Sequence, residues 1–153
     1  MNPVEGCESC ELCDRPGGEI VWEDELCRVV RVGGDEGSDY PGFCRVIWQA
    51  HVGEMTDLSS ANRRHLMALV FATEAALRVC YRPIKINLAS LGNVVPHLHW
   101  HVIPRFADDR HFPAPIWAEA KRETVTTRPE VTRAVLCQEI TRALAEEQGG
   151  GIV

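Results

Sequence analysis

The stretch Pro96-His97-Leu98-His99-Trp100-His101-Val102-Ile103-Pro104 holds three of the six histidines in the chain. Along an extended strand, successive side chains point to opposite faces. His97, His99 and His101 then share one face, while Leu98, Trp100 and Val102 share the other and can enter a core. Two residues of strand rise set neighbouring imidazoles roughly 7 Å apart. One histidine on a solvated strand face would mean nothing, and a polyhistidine metal site is a second reading. Three in strict alternation point first to catalysis. Neutral imidazole is a competent nucleophile near pH 7, because its ordinary pKa is about 6.5. If one ring N–H is held by a carbonyl, the other nitrogen keeps its lone pair for attack on phosphorus. Neighbouring imidazoles can donate to phosphoryl oxygens or to the leaving group. Arg105, at the end of the stretch, offers a planar fork of donors for phosphate; an exposed strand-end arginine is the plain alternative.

These residues need a frame. Glu19 to Glu23 and Leu26 to Val32 read as two short strands, and Phe43 to Trp48 as a third, rich in β-branched and aromatic residues. Gly33 to Gly42 is dense in turn formers and reads as a loop. Thr56, Asp57 or Ser59 can cap a helix that runs to about Tyr81, with Leu66, Leu69, Val70, Leu77 and Cys80 as its buried stripe. Arg82-Pro83 ends it, since a residue before proline is pushed out of the helical region. Ile84 to Ala89 is a fourth strand, Leu91-Gly92-Asn93 a turn, and His97 to Ile103 the fifth strand. Pro104 to Pro115 reads as irregular. A last helix is expected to start near Pro129, with Leu136, Ile140, Ala143 and Leu144 inward. The pattern predicts an α+β fold: a mostly antiparallel five-stranded sheet, one long helix and a C-terminal helix. Residues 1–112 are expected to form the functional domain, and 113–153 a proline-containing connector and helix of the same globule.

The 153 residues carry a net charge of −6, which argues against broad binding to a nucleic-acid backbone. No apolar run reaches the ~20 residues of a membrane span. The acidic, polar N-terminus lacks the features of a secretory signal, so a cytoplasmic protein is expected. Seven cysteines then read as thiols or metal ligands. Cys27, Cys44, Cys80 and Cys137 sit singly in apolar stretches as small hydrophobes. Cys10-x-x-Cys13 has the spacing of a zinc half-site, with a redox pair, free thiols or the overlapping Cys7-x-x-Cys10 as alternatives. His65 and His111 read as surface residues. Trp117 can stack on a base, close a dimer interface or simply pack.

His-Leu-His-Trp-His-Val-Ile resembles the motif of the histidine triad family, and the resemblance extends over about residues 7 to 112. His51 to Leu58 before the long helix, and Ile86-Asn87 on the strand before the motif, also sit where that family has counterparts. The resemblance implies that His99 is the nucleophile that forms a nucleotidyl-imidazole intermediate, that His101 contacts phosphate, and that His97 orients. It implies contacts to the nucleotide from Asn87 and from the turn at Gly92 and Asn93. It places the Gly33 to Gly42 loop at the nucleoside, with Asp35 or Asp39 on ribose hydroxyls. It also implies that Cys10 and Cys13 pair with His51 and His97 around a structural zinc ion, and that catalysis at phosphate needs no metal. The expected function is hydrolysis at the α-phosphorus of a dinucleoside polyphosphate or nucleoside phosphoramidate, by a homodimer that needs neither nucleic acid nor membrane. A non-catalytic nucleotide-binding protein and a nucleotidyltransferase are the rivals; the transferase branch carries glutamine where this chain has His101. Many family members have Ser or Thr where this chain has Val94, so leaving-group handling is expected to differ.

Overall fold

The computed structural model describes residues 9–123 and 127–150; Cys7 lies outside them. Strands β1 (Glu19–Glu23), β2 (Cys27–Arg31), β3 (Cys44–Trp48), β4 (Lys85–Ala89) and β5 (His99–Arg105) form one antiparallel sheet in the order β1-β2-β3-β5-β4. The helices are α1 (Glu11–Asp14), α2 (Gly34–Asp39), α3 (Ser60–Tyr81) and α4 (Arg133–Gly149), with a 3-10 turn at Met55–Asp57. The mostly antiparallel α+β architecture expected from the pattern is the one observed. None of the described helices is long and apolar enough to cross a membrane.

The two faces of the sheet have different fates. Val29, Val46, Trp48 and Val102 pack with α3 and α4 into the main core, together with Leu66, Leu69, Leu77, Leu136 and Ile140. The opposite face is covered only at its ends. Cys10 and Leu12 pack on Val30 and Ile47 at one end. Val32, Tyr40, Phe43, Ile103 and Ile116 cluster at the other. Between these ends a cleft reaches His99 and His101, which are themselves largely buried.

Several local expectations are corrected. Gly33 to Gly42 is not all loop, since residues Gly34–Asp39 form α2. Asp35 and Glu36 in its first turn suit the positive end of the helix dipole. Glycine is required at position 37, where a Cβ would lie 2.2 Å from the Val32 carbonyl oxygen. The last helix starts at Arg133 and not near Pro129, because the Thr132 hydroxyl accepts the Val135 N–H at 3.2 Å as an N-cap. Ser59 caps α3 in the same way through the Asn62 N–H. Arg82 does leave the helix before Pro83, into a left-handed conformation with φ 49°. The fifth strand begins at His99, so β4 and β5 are joined by residues 90–98 and not by a tight turn. It also continues past Ile103 through Pro104 to Arg105. The β3 ladder has ended at Val102 by then, so the N–H that Pro104 lacks is not needed on that side.

The segment after β5 is organised by one buried carboxylate. Asp109 accepts from Arg105 Nε at 2.8 Å and Nη2 at 3.1 Å, and from the N–H groups of Phe106, His111 and Phe112. Arg105 also donates to the Ala114 carbonyl at 2.7 Å, so the pair folds the chain back toward Trp117. Burial alone would raise the Asp109 pKa, but the donors from Arg105 and the backbone outweigh it and hold the carboxylate below its ordinary value. Stability linked to such a depressed pKa is present above the unfolded value of about 3.9 and is lost as pH falls through the folded one. Asp109→Ala strands a buried guanidinium and should cost about 3–5 kcal/mol at pH 7. Denaturant titration checks this, and the deficit relative to wild type should shrink below about pH 4.

Candidate functional site

The triad face is set by register. His101 pairs with Arg45 of β3 and with Ala89 of β4, and His99 pairs with Ile47. The His99 Nδ1–H donates to the His97 carbonyl at 2.5 Å. That bond fixes the tautomer and leaves Nε2 as the lone-pair nitrogen. The His99 and His101 rings meet edge to face with centroids 4.9 Å apart, closer than the strand rise alone implies, because the rings lean together. Burial lowers the His99 pKa below its ordinary value, with the Arg45 charge adding to the effect. Burial, His99 and Arg45 lower that of His101 to about 4. Both rings are therefore neutral near pH 7. His101 can act as a donor only through its neutral form, and its Nδ1 is buried with no partner.

His97 takes a separate place. It is fully buried, outside the β5 ladder, and its ring does not line the cleft that His99 and His101 share. Its Nε2–H donates to the Trp48 carbonyl at 2.6 Å, which leaves Nδ1 as an acceptor. Nδ1 lies 3.4 Å from Cys10 Sγ and 3.5 Å from Cys13 Sγ, and His51 Nδ1 lies 3.4 Å from Cys13 Sγ. The four donor atoms all fall within 4.8 Å of one another. A tetrahedral zinc ion with ordinary bond lengths would set sulfur and nitrogen roughly 3.5 Å apart, so this donor set fits zinc. The structure thus brings together the four residues that the sequence reading paired.

Sequence reasoning missed what holds the cysteine segment down. Arg28, buried on β2, donates to the carbonyls of Leu12 at 2.6 Å and Pro16 at 2.9 Å, and to Gln49 Oε1 at 2.6 Å. A second grouping, Asp24, Cys27 and His65, is a hydrogen-bonded contact, with His65 Nε2 on Asp24 Oδ2 at 2.7 Å. Burial, then Asp24, pushes the Cys27 thiol up to about 12, so it is protonated there.

A cleft of about 410 Å³ opens over His99 and His101. Gly92, Asn93, Val94 and Val95 of the 90–98 connection line it, as do Glu11, Glu36, Arg45 and Trp117. Trp117 stands with its ring 5.1 Å from that of His101. Asn87 does not line this cleft. It lies on the same face in a neighbouring groove with Arg105 and Trp117, and its Oδ1 accepts from Arg105 Nη1 at 2.7 Å. Arg105 is buried and spends its donors on Asp109, Asn87 and Ala114, so it is not the exposed strand-end cation of either sequence reading. Asp35 is exposed on α2, and Asp39 pairs with Arg110 at 3.0 Å; neither lines the cleft. Neither His65 nor His111 is a bare surface residue: His65 meets Asp24, and His111 Nδ1 shares a hydrogen bond with the Tyr40 hydroxyl at 2.5 Å. Arg45 was also missed. Its signal was a charged residue inside an otherwise apolar strand.

A family model for the HIT domain matches residues 17–108. The curated proteins contain no match to the chain. Among solved structures, a histidine triad protein from Sinorhizobium meliloti 1021 is 25% identical, with 90% of this chain and 99% of that chain covered and a TM-score of 0.65. One from Bradyrhizobium japonicum is also 25% identical, with 86% and 91% covered and a TM-score of 0.59. A Zn-bound histidine triad family protein from Mycobacterium smegmatis is 21% identical, with 95% and 99% covered and a TM-score of 0.53. The family model spans more than half of the chain, and the chain belongs to the histidine triad family of nucleotide-binding proteins.

Proposed function

We propose that the protein hydrolyses a nucleoside monophosphate derivative at its α-phosphorus through a nucleotidyl-His99 intermediate, on either a dinucleoside polyphosphate or a nucleoside phosphoramidate. The observation that carries this reading is the His99 Nδ1–H bond to the His97 carbonyl, which leaves a neutral, lone-pair Nε2 in the open cleft. In the first step Nε2 bonds to phosphorus and the bond to the leaving group breaks. The leaving group departs with that electron pair and takes up a proton from water. The His97 carbonyl then faces an N–H on a cationic ring, where the bond is stronger. In the second step water attacks the same phosphorus and the P–N bond breaks. Its electron pair returns to Nε2, and the proton of water goes to solvent. His101 donates to the phosphoryl oxygens as a neutral imidazole.

Zinc on Cys10, Cys13, His51 and His97 belongs to the same proposal. It would supply a rigid crosslink, not chemistry at phosphate. The fit of the donor set supports it, and the Zn-bound relative from Mycobacterium smegmatis is consistent with it. A homodimer acting without nucleic acid or membrane, in the cytoplasm, completes the reading.

Turnover of an adenosine phosphoramidate with a fluorescent leaving group tests the hydrolase. His99→Ala should lose several orders of magnitude, by analogy with other covalent nucleophiles. In His101→Gln the second step should slow more than the first, and intact-protein mass spectrometry should show an added nucleotide mass. Wild-type turnover in His99→Ala rules the mechanism out, and a wild type with no turnover at all favours a binding protein.

Zinc is tested on protein made without a histidine tag. About one equivalent should co-purify, and Cys13→Ser should lower both metal content and melting temperature. Metal-free protein that melts unchanged in the presence of a chelator contradicts the assignment.

A further inference from the structure

We propose that Arg45 is a catalytic residue of this site, the cation that receives the oxygens of the phosphoryl group attacked by His99. The inference rests on the phosphate-directed reading above. Arg45 is directly opposite His101 in the β3–β5 ladder, so both side chains rise from one face. Among the described residues that line the cleft it is the only lysine or arginine. The other formal charges there are the carboxylates of Glu11 and Glu36, which would repel a phosphate rather than hold it.

The donors of Arg45 are largely unspent. Nη1 reaches the Gly17 carbonyl at 3.2 Å, and Nη2 stands 3.5 Å from Glu36 Oε2, at the outer limit of a bond. Nε is buried with no partner. Arg28 and Arg105 are the opposite case, each with at least four acceptors held by one guanidinium. Nor is Arg45 loosely held, because its guanidinium carbon lies 5.7 Å from the centre of the Phe43 ring. A second unpartnered buried atom, His101 Nδ1, stands across the same ladder. Two adjacent groups with unmet hydrogen bonds, one of them a permanent cation, suit an incoming anion.

The chemistry needs no proton from Arg45, which stays charged throughout. As His99 Nε2 bonds to phosphorus and the leaving-group bond breaks, negative charge persists on the non-bridging oxygens. A fixed guanidinium beside them stabilises that charge without reorganisation.

Binding of adenosine 5′-monophosphate and of adenosine, measured by calorimetry, tests this independently of turnover, with the guanosine pair alongside. Wild type should bind the monophosphate more tightly than the nucleoside. In Arg45→Met that advantage should fall about 10- to 100-fold, with nucleoside affinity and melting temperature unchanged. Arg45→Lys should restore part of it, and Arg45→Gln is a second neutral variant if Arg45→Met fails to fold. On the phosphoramidate, kcat/KM should fall in the same order. No phosphate advantage in wild type, or one that survives both neutral variants, overturns the proposal. Arg45-dependent phosphate binding without any turnover would count against the hydrolase reading and leave this one standing.

Discussion

The structure turns on His97, three of whose polar atoms face three different ways. Nε2 donates to the Trp48 carbonyl, Nδ1 faces the sulfurs of Cys10 and Cys13, and the backbone oxygen holds His99 Nδ1. One residue thereby joins the end of β3, the N-terminal segment and the ring that faces the cleft. An imidazole that must attack phosphorus needs a fixed orientation and a fixed tautomer, and both come from that carbonyl. A zinc ion on the cysteines would stiffen the same residue from the other side, much as outer partners fix metal-bound histidines elsewhere.

Three arginines on strands do different jobs according to how many acceptors surround them. Arg28 is consumed by the carbonyls of the N-terminal segment, and Arg105 by Asp109, Asn87 and Ala114. Both knit loops onto the open face of the sheet and are structural for that reason. Arg45 has few partners and borders the cleft. A guanidinium becomes available to a ligand only where the fold leaves its donors unspent, and on this face that occurs beside His101.

Period and capping make much of this legible in the sequence. The alternation of His99 and His101 against Trp100 and Val102 marked the two faces, and the Ser59 cap with the Leu66, Leu69, Leu77 stripe marked α3; His97, expected in the same row, precedes the strand and turns its ring to the cysteines instead. The cysteine and histidine cluster followed from family resemblance, not spacing, since His51 and His97 lie far from the cysteines in sequence. Other features were hidden because they depend on register and long-range partners. Asp109 lies only four residues beyond Arg105, but nothing in the sequence singles it out from Asp108 as the acceptor, and nothing shows that Arg45 pairs with His101. The α2 helix hid behind its glycines, one of which is demanded by the Val32 carbonyl. Asp35 and Asp39, expected at ribose, sit on that helix away from the cleft.

The tautomer of His99 is the most direct test of the central constraint. Nitrogen-15 NMR of the imidazole rings, assigned with His99→Gln, reads it in the free protein at pH 7. The expected result is a neutral ring with the proton on Nδ1 and an unprotonated Nε2. A ring protonated on Nε2, or an imidazolium at that pH, would contradict it.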